Sequence, residues 1–197
     1  MSRGFELLPL ECPSCGETLG GDAVDVVFYC VACRSGHRVV EDRLEPVEVS
    51  FASWPQGAAE GYLPFWSLDA KVEIRQRKAS GGHIRRFLSG GGEAPLERFL
   101  VPAYPLALAE AVNATLALSR HLPPAAERLG EGLTGGSVEV VDAQKMARYC
   151  VIAAEARQPD TLREFDFHVE FGKVRLLGIP YQTKDGRRVD VLTRHAI

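Results

Sequence analysis

The stretch CPSCGETLGGDAVDVVFYCVAC, residues 12–33, holds four of the five cysteines in a chain of 197 residues. They form two pairs, Cys12-x-x-Cys15 and Cys30-x-x-Cys33, with fourteen residues between the pairs. Pro13 and Gly16 bracket the first pair, and Ser35 and Gly36 follow the second. Each pair therefore sits in turn-forming sequence, where successive backbone N–H groups can point at a sulfur. Two such turns bring four thiolates into a tetrahedron. A redox Cys-x-x-Cys needs only one pair, at the head of a helix, and disulfides are scarce in reducing compartments. The expected occupant is Zn²⁺, held by Cys12, Cys15, Cys30 and Cys33. A closed set of four leaves no open coordination position, which argues against metal catalysis. His37, four residues past Cys33, is a spare candidate that a complete four-cysteine set does not need.

Between the pairs, Val24, Val26, Phe28 and Cys30 recur at period two, as on a strand, after the turn residues Gly20-Gly21-Asp22. RSGHRVVED, after Cys33, reads as a turn and a second strand. Knuckle, strand, knuckle, strand over residues 8–46 resembles a zinc ribbon. Zinc ribbons serve in nucleic-acid binding, protein docking and scaffolding alike, so the resemblance carries no activity with it. The ribbon followed by a Leu-Pro-Phe-Trp strand is similar to small bacterial zinc-ribbon proteins.

PVEVSFASWPQGAAEGY marks a connection, which places a zinc ribbon at 1–46 and a second domain at 47–197. From Trp66, the apolar residues Leu68, Ala70, Val72 and Ile74 alternate with polar ones, the pattern of a half-buried strand. SGGH and IRRFL suggest a turn and a return strand, and LERFLVPAYP a further strand. Pro105 suits the first turn of a helix through PLALAEAVNATLALSRHL. VEVV then reads as a short strand, with Asp142 capping a second helix, AQKMARYCVIAAEARQ. FDFHVEF puts Phe165, Phe167, Val169 and Phe171 on one face, and KVRLLGIPYQTKDGRRVDVLT predicts a hairpin about KDG. The expected fold is α+β: an N-terminal four-cysteine zinc ribbon, then a mainly antiparallel sheet with two helices packed on one face.

Composition is that of a folded protein, 46% hydrophobic and 25% charged, with a formal charge of −3. The net charge gives no general attraction to polyanions. Arginine outnumbers lysine 18 to 5, a bias that GC-rich codon usage explains. No apolar run reaches the roughly 18 residues of a membrane helix, and MSRGFELLPLECPSC predicts no cleavable leader, so the cytoplasm is expected. His168-Val169-Glu170 matches H-x-E of zinc deaminases only superficially, because the cysteine pairs precede it and are already committed. No H-E-x-x-H, G-x-S-x-G or phosphate-binding loop is present, and no small-molecule substrate is evident. Cys150, beside Val151 and Ile152, reads as a small buried hydrophobe.

Three stretches, YLPFW, FLVPAYP and LLGIPYQ, each set a proline beside aromatics in an apolar run, which belongs at strand ends or edges. Phe65, Trp66, Tyr104 and Tyr181 are therefore candidate contacts for a protein partner, with packing into the core as the alternative. The expected function is a non-enzymatic, zinc-stabilised binding or assembly subunit. The alternative is nucleic-acid binding through the ribbon and a basic hairpin at 71–86, using Lys71, Arg75, Arg77, Lys78, Arg85 and Arg86.

Overall fold

The computed structural model describes residues 10–53, 59–81, 96–126 and 132–190. Strands β1 (Val27–Cys30), β2 (Ser35–Val40) and β3 (Arg43–Val47) form an antiparallel sheet in chain order. After Glu48 alone, β4 (Val49–Phe51) enters a larger sheet with β5 (Gly61–Ser80), β6 (Arg98–Pro102), β7 (Thr161–Lys184) and β8 (Arg187–Asp190). Its order is β4-β7-β5-β6, with β8 also on β7. All its pairings are antiparallel except β4 on β7. Among the described residues, two helices, α1 (Leu108–Arg120) and α2 (Val140–Ala156), complete a mixed α+β fold.

Side-chain alternation along the central strands divides the interior in two. Trp66 and Leu68 of β5 join Phe99 and Val101 of β6 and Leu176 of β7 in the larger cluster. Leu63 and Phe65, on the opposite face, join Leu100, Leu177 and Ile179. Helix α2 sends Ala143, Ala147, Cys150 and Val151 into the larger cluster. Helix α1 runs beside β6 and contributes Val112 and Leu116 to that cluster but Leu118 to the other, so it straddles the sheet edge instead of lying on one face. Val27 and Tyr29 of β1 lie in the larger cluster too, with Tyr29 edge-on to Phe51 at 5.5 Å. The cysteine-bearing sheet is thus packed into the main core, and the indole Nε1 of Trp66 donates to the Val138 carbonyl at 2.7 Å.

Several elements differ from their sequence reading. The strand expected at Trp66 runs from Gly61 to Ser80 and pairs over nearly its whole length with β7. Its basic end therefore lies against residues 161–171, and the return segment IRRFL lies outside the described residues. FDFHVEF and KVRLLGIPYQ form one strand, because Gly172 and Lys173 form only a bulge opposite Asp69 and the pairing resumes on either side of it. Pro105 stands three residues before α1, whose first residue is Leu108. Val140 and Val141 open α2 instead of ending a strand; Asp142 lies in its first turn and pairs with Lys145 at 2.8 Å instead of capping it. The KDG turn forms as expected, with Asp185 and Gly186 at φ 53° and 75° joining β7 to β8.

Beyond the end of β6, β5 and β7 continue as a two-stranded ribbon that one buried ion-pair group ties to α2. Arg77 donates from Nε to Glu155 at 2.7 Å and bidentately to Asp160 at 2.8 and 2.9 Å. The Arg77 and Asp160 side chains are only 13% and 4% exposed. Removing one member strands the others in a poorly solvated place. Arg77→Ala is expected to lower unfolding free energy by about 3 kcal/mol, measured by urea denaturation. Lys78→Ala, which breaks an exposed pair with Glu164, should cost at most about 1 kcal/mol.

Candidate metal centre

The first knuckle is built by backbone bonds alone. Cys12 N donates to Glu17 O at 2.8 Å, and the N–H groups of Cys15 and Gly16 fold back on Cys12 O at 3.3 and 2.8 Å. Gly16 then takes φ 76°, the left-handed turn that glycine enters without penalty. The second knuckle repeats the geometry one residue after its second cysteine, with Arg34 at φ 59°. Because β1 leads into this knuckle and β2 leaves it, Cys30↔Ser35 pairing fixes its position against the sheet.

The four sulfurs converge. Cys12 and Cys33 Sγ are 3.5 Å apart, Cys15 and Cys30 Sγ are 3.6 Å apart, and all four lie within 4.8 Å of one another. A tetrahedral ion with four sulfurs at about 2.3 Å requires edges of about 3.8 Å. The donor set and its spacing therefore fit one four-coordinate metal ion, and none of the four cysteines is in a disulfide. Cys12 and Cys30 are buried, with Leu19 and Phe28 beside them, while Cys15 and Cys33 face solvent.

Without a cation, the thiols hold their protons unequally. Burial pushes Cys12 up, but hydrogen bonds from Ser35, the Ser14 and Cys15 backbone and Cys33 outweigh it and bring Cys12 down to about 5. At Cys15 the Glu17 N–H pulls downward, yet burial and the neighbouring Cys30, Cys33 and Cys12 sulfurs prevail and hold it up at about 12. Charge collects at the inner sulfur, and a bound cation would spread it over all four.

Two further side chains reach the cluster from β2. His37, 1% exposed, has Nε2 at 3.3 Å from Cys12 Sγ and 2.8 Å from Ser35 Oγ. Ser35 Oγ lies 2.9 Å from Cys33 Sγ. Ser35 and His37 are two apart on a strand that leaves the knuckle, so they share its face. That spacing is the signal by which Ser35 is legible beside His37, the neighbour already considered as a ligand.

The remaining sequence candidates do not gather at this centre. Phe65 and Trp66 are 0% and 1% exposed, fully enclosed in the two core clusters, which corrects their assignment as partner contacts. The three proline stretches do converge at one sheet end, where Phe65 pairs with Pro102, Pro64 with Gly178 and Tyr62 with Pro180. Tyr104 packs edge-on to Phe65 at 5.7 Å, and its buried hydroxyl meets no partner among the described residues. Tyr181 is partly exposed under the Arg188 guanidinium, 5.1 Å from its centroid.

Two cations of the basic stretch are compensated. Arg77 is committed to Glu155 and Asp160, and Lys78 bonds Glu164 at 2.7 Å. Lys71 is exposed directly across from Glu170, and Arg75 is exposed on the same strand. Arg85 and Arg86 lie outside the described residues. His168 and Glu170 project from the exposed face of β7. Cys150 is fully buried, its thiol pushed up to about 12 by burial, as its apolar neighbours implied. Among the described residues, no helix is long and apolar enough to cross a membrane.

Comparison with family models, curated proteins and solved structures finds no match to this chain.

Metal removal should reach beyond the knuckles, because Val27 and Tyr29 share the main core. Cys12→Ser, or a chelator, is expected to abolish amide-exchange protection in β1–β3 and to weaken it at Phe51 and Trp66. Hydrogen exchange read by mass spectrometry checks both regions.

Proposed function

We propose that the chain is a non-enzymatic docking protein stabilised by one Zn²⁺. Four thiolates at tetrahedral spacing suit Zn²⁺, a borderline-soft ion with no geometric demand of its own. Cys12, Cys15, Cys30 and Cys33 would hold it, and its contribution is cohesion, since four sulfurs leave no position for substrate. About −2 of formal charge remains on such a site, softened by the knuckle N–H groups.

The observation that supports docking is the surface beside the centre. Val24, 70% exposed before β1, and Val31, 55% exposed inside the second knuckle, flank a cleft of about 700 Å³. Its far wall is the converged proline–aromatic end, with Tyr104, Pro105 and Leu106, and Arg188 stands at its margin. An open cleft with apolar rims, the carboxylates of Asp22 and Asp25 and the cation of Arg188 fits a polypeptide segment better than a small solute. The partner contacts are thus the ribbon tip and Tyr104, in place of the enclosed Phe65 and Trp66. Compensation of Arg77 and Lys78 leaves the nucleic-acid reading without comparable support.

Metal analysis of purified protein should return one Zn²⁺ per chain. Affinity capture from the source cell should recover a protein partner that the double substitution Val24→Asp, Val31→Asp no longer retains, while its circular dichroism stays unchanged. Equal retention by the variant, or recovery only of nuclease-sensitive material, would sink the docking reading.

A further inference from the structure

On the face that carries the smaller core cluster, the main sheet turns from apolar to polar along a line across four strands. Side chains two apart on a strand share a face. Ser50 of β4 therefore stands beside Ala52, Ser67 of β5 beside Phe65, Arg98 of β6 beside Leu100, and Arg175 of β7 beside Leu177, each apolar neighbour belonging to that cluster. The ladders draw the polar residues together, since Ser67 pairs with Arg175 on one side and Leu100 on the other, and Asp69 with Arg98. Ser50, Ser67, Arg98 and Arg175 line one cavity of about 120 Å³. Leu122, Pro123 and Ala125, from the segment after α1, complete its wall. That segment is pinned to β4, with Ala126 N donating to Phe51 O at 2.7 Å and Ser53 N to Pro124 O at 2.8 Å.

Ser67 is only 5% exposed, in a row where its neighbours pack apolar side chains. Its hydroxyl meets no hydrogen-bond partner among the described residues, a cost that alanine at this position would not carry. The two guanidiniums are anchored but not used up. Arg98 gives Asp69 its Nε at 2.7 Å, and Arg175 gives Asp69 its Nη1 at 2.9 Å. Arg175 Nε also faces Glu48 at 3.5 Å, beside Lys173. A guanidinium has five N–H donors, so most of each fork remains. Neither carboxylate lines the cavity. Arg98, Lys173 and Arg175 against Asp69 and Glu48 leave one positive charge in the group.

We propose that this corner of the sheet binds a small tetrahedral oxyanion of the phosphate class, held by Arg98 and Arg175 and by the hydroxyls of Ser50 and Ser67. Donors from four strands match the several acceptor oxygens of a tetrahedral ion better than the two of a flat carboxylate. The cavity is well below the roughly 300 Å³ at which pockets for drug-sized ligands begin, so it takes the ionic group alone. Leu100 and Leu177 beside it lower the local dielectric and strengthen each bond. The site shares no residue with the metal centre or with the cleft beside Val24 and Val31, so it stands independently of both.

Calorimetric titration of the full chain with inorganic phosphate, at constant ionic strength, tests the proposal. One saturable site is expected, and phosphate should raise the thermal unfolding midpoint. Ser67→Ala should weaken binding about tenfold, the equivalent of one hydrogen bond to a charged group. Arg98→Gln should weaken it at least as much, and Arg98→Lys should restore part of the loss. Arg75→Gln, at an exposed cation outside the cavity, should leave the affinity unchanged. Methyl phosphate distinguishes the two sources of the group: affinity equal to that of phosphate assigns the site to a phosphate ester, and weaker affinity assigns it to the free ion. Absence of saturable binding by the wild type, acetate binding as tightly as phosphate, or full affinity in Ser67→Ala would overturn the proposal. Ser67→Ala keeps both bonds to Asp69, so it decides the matter even if Arg98→Gln does not fold.

Discussion

The ladder between β5 and β7 is the constraint on which the other parts depend. It joins residues 61–80 to residues 161–181, on either side of both helices. β6 adds to one side of this pair, and β4 and β8 add to the other. Closing so long a loop costs entropy that only the finished ladder and its two faces can offset. The enclosed residues of β5 fall in its first half: Leu63 and Phe65 on one face, Trp66 and Leu68 on the other. Folding that waits on such a pairing is slow compared with helix formation.

Where that ladder outruns its neighbours, charge replaces apolar burial. Beyond Asp69, the ribbon keeps its inner face against α2 through Val72, Val169 and the phenylalanines 165, 167 and 171. Its rim is held by carboxylates facing cations. Asp69 receives Arg98 and Arg175 at 2.7 and 2.9 Å; burial raises its affinity for a proton, but these bonds prevail and hold it below the usual carboxylate range. A carboxylate depressed in this way adds stability above its unfolded pKa, and that contribution fades as pH falls through the folded value. The rim is therefore the part most exposed to acid.

What could be read in the sequence was local. Paired cysteines with glycine and serine beside them specify knuckles without help from elsewhere, and Asp185-Gly186 specifies its turn for the same reason. The alternation from Leu68 to Val72 marked a strand because one face is more covered there than the other. Partner choice was not legible, since a strand with basic residues pairs as well with a return strand as with an acidic segment far along the chain. The start of α2 misled because Val140 and Val141 favour strands and no side chain caps the helix. Burial of Phe65 and Trp66 was hidden because both faces of β5 are covered at that point, which alternation alone does not reveal.

One residue separates the two sheets. Glu48 lies between β3 and β4, its carbonyl accepts from Leu176 N at 2.8 Å, and its carboxylate meets Lys173 and Arg175. Nearby, a Cβ on Gly36 would come within 2.2 Å of the Val49 side chain, and one on Gly178 within 2.6 Å of the Phe51 ring. A joint so short, pinned and close-fitting has no slack to act as a hinge. Any change of shape at the sulfurs would then bear on the main core through Val27 and Tyr29, and on the cleft beside Val24 and Val31.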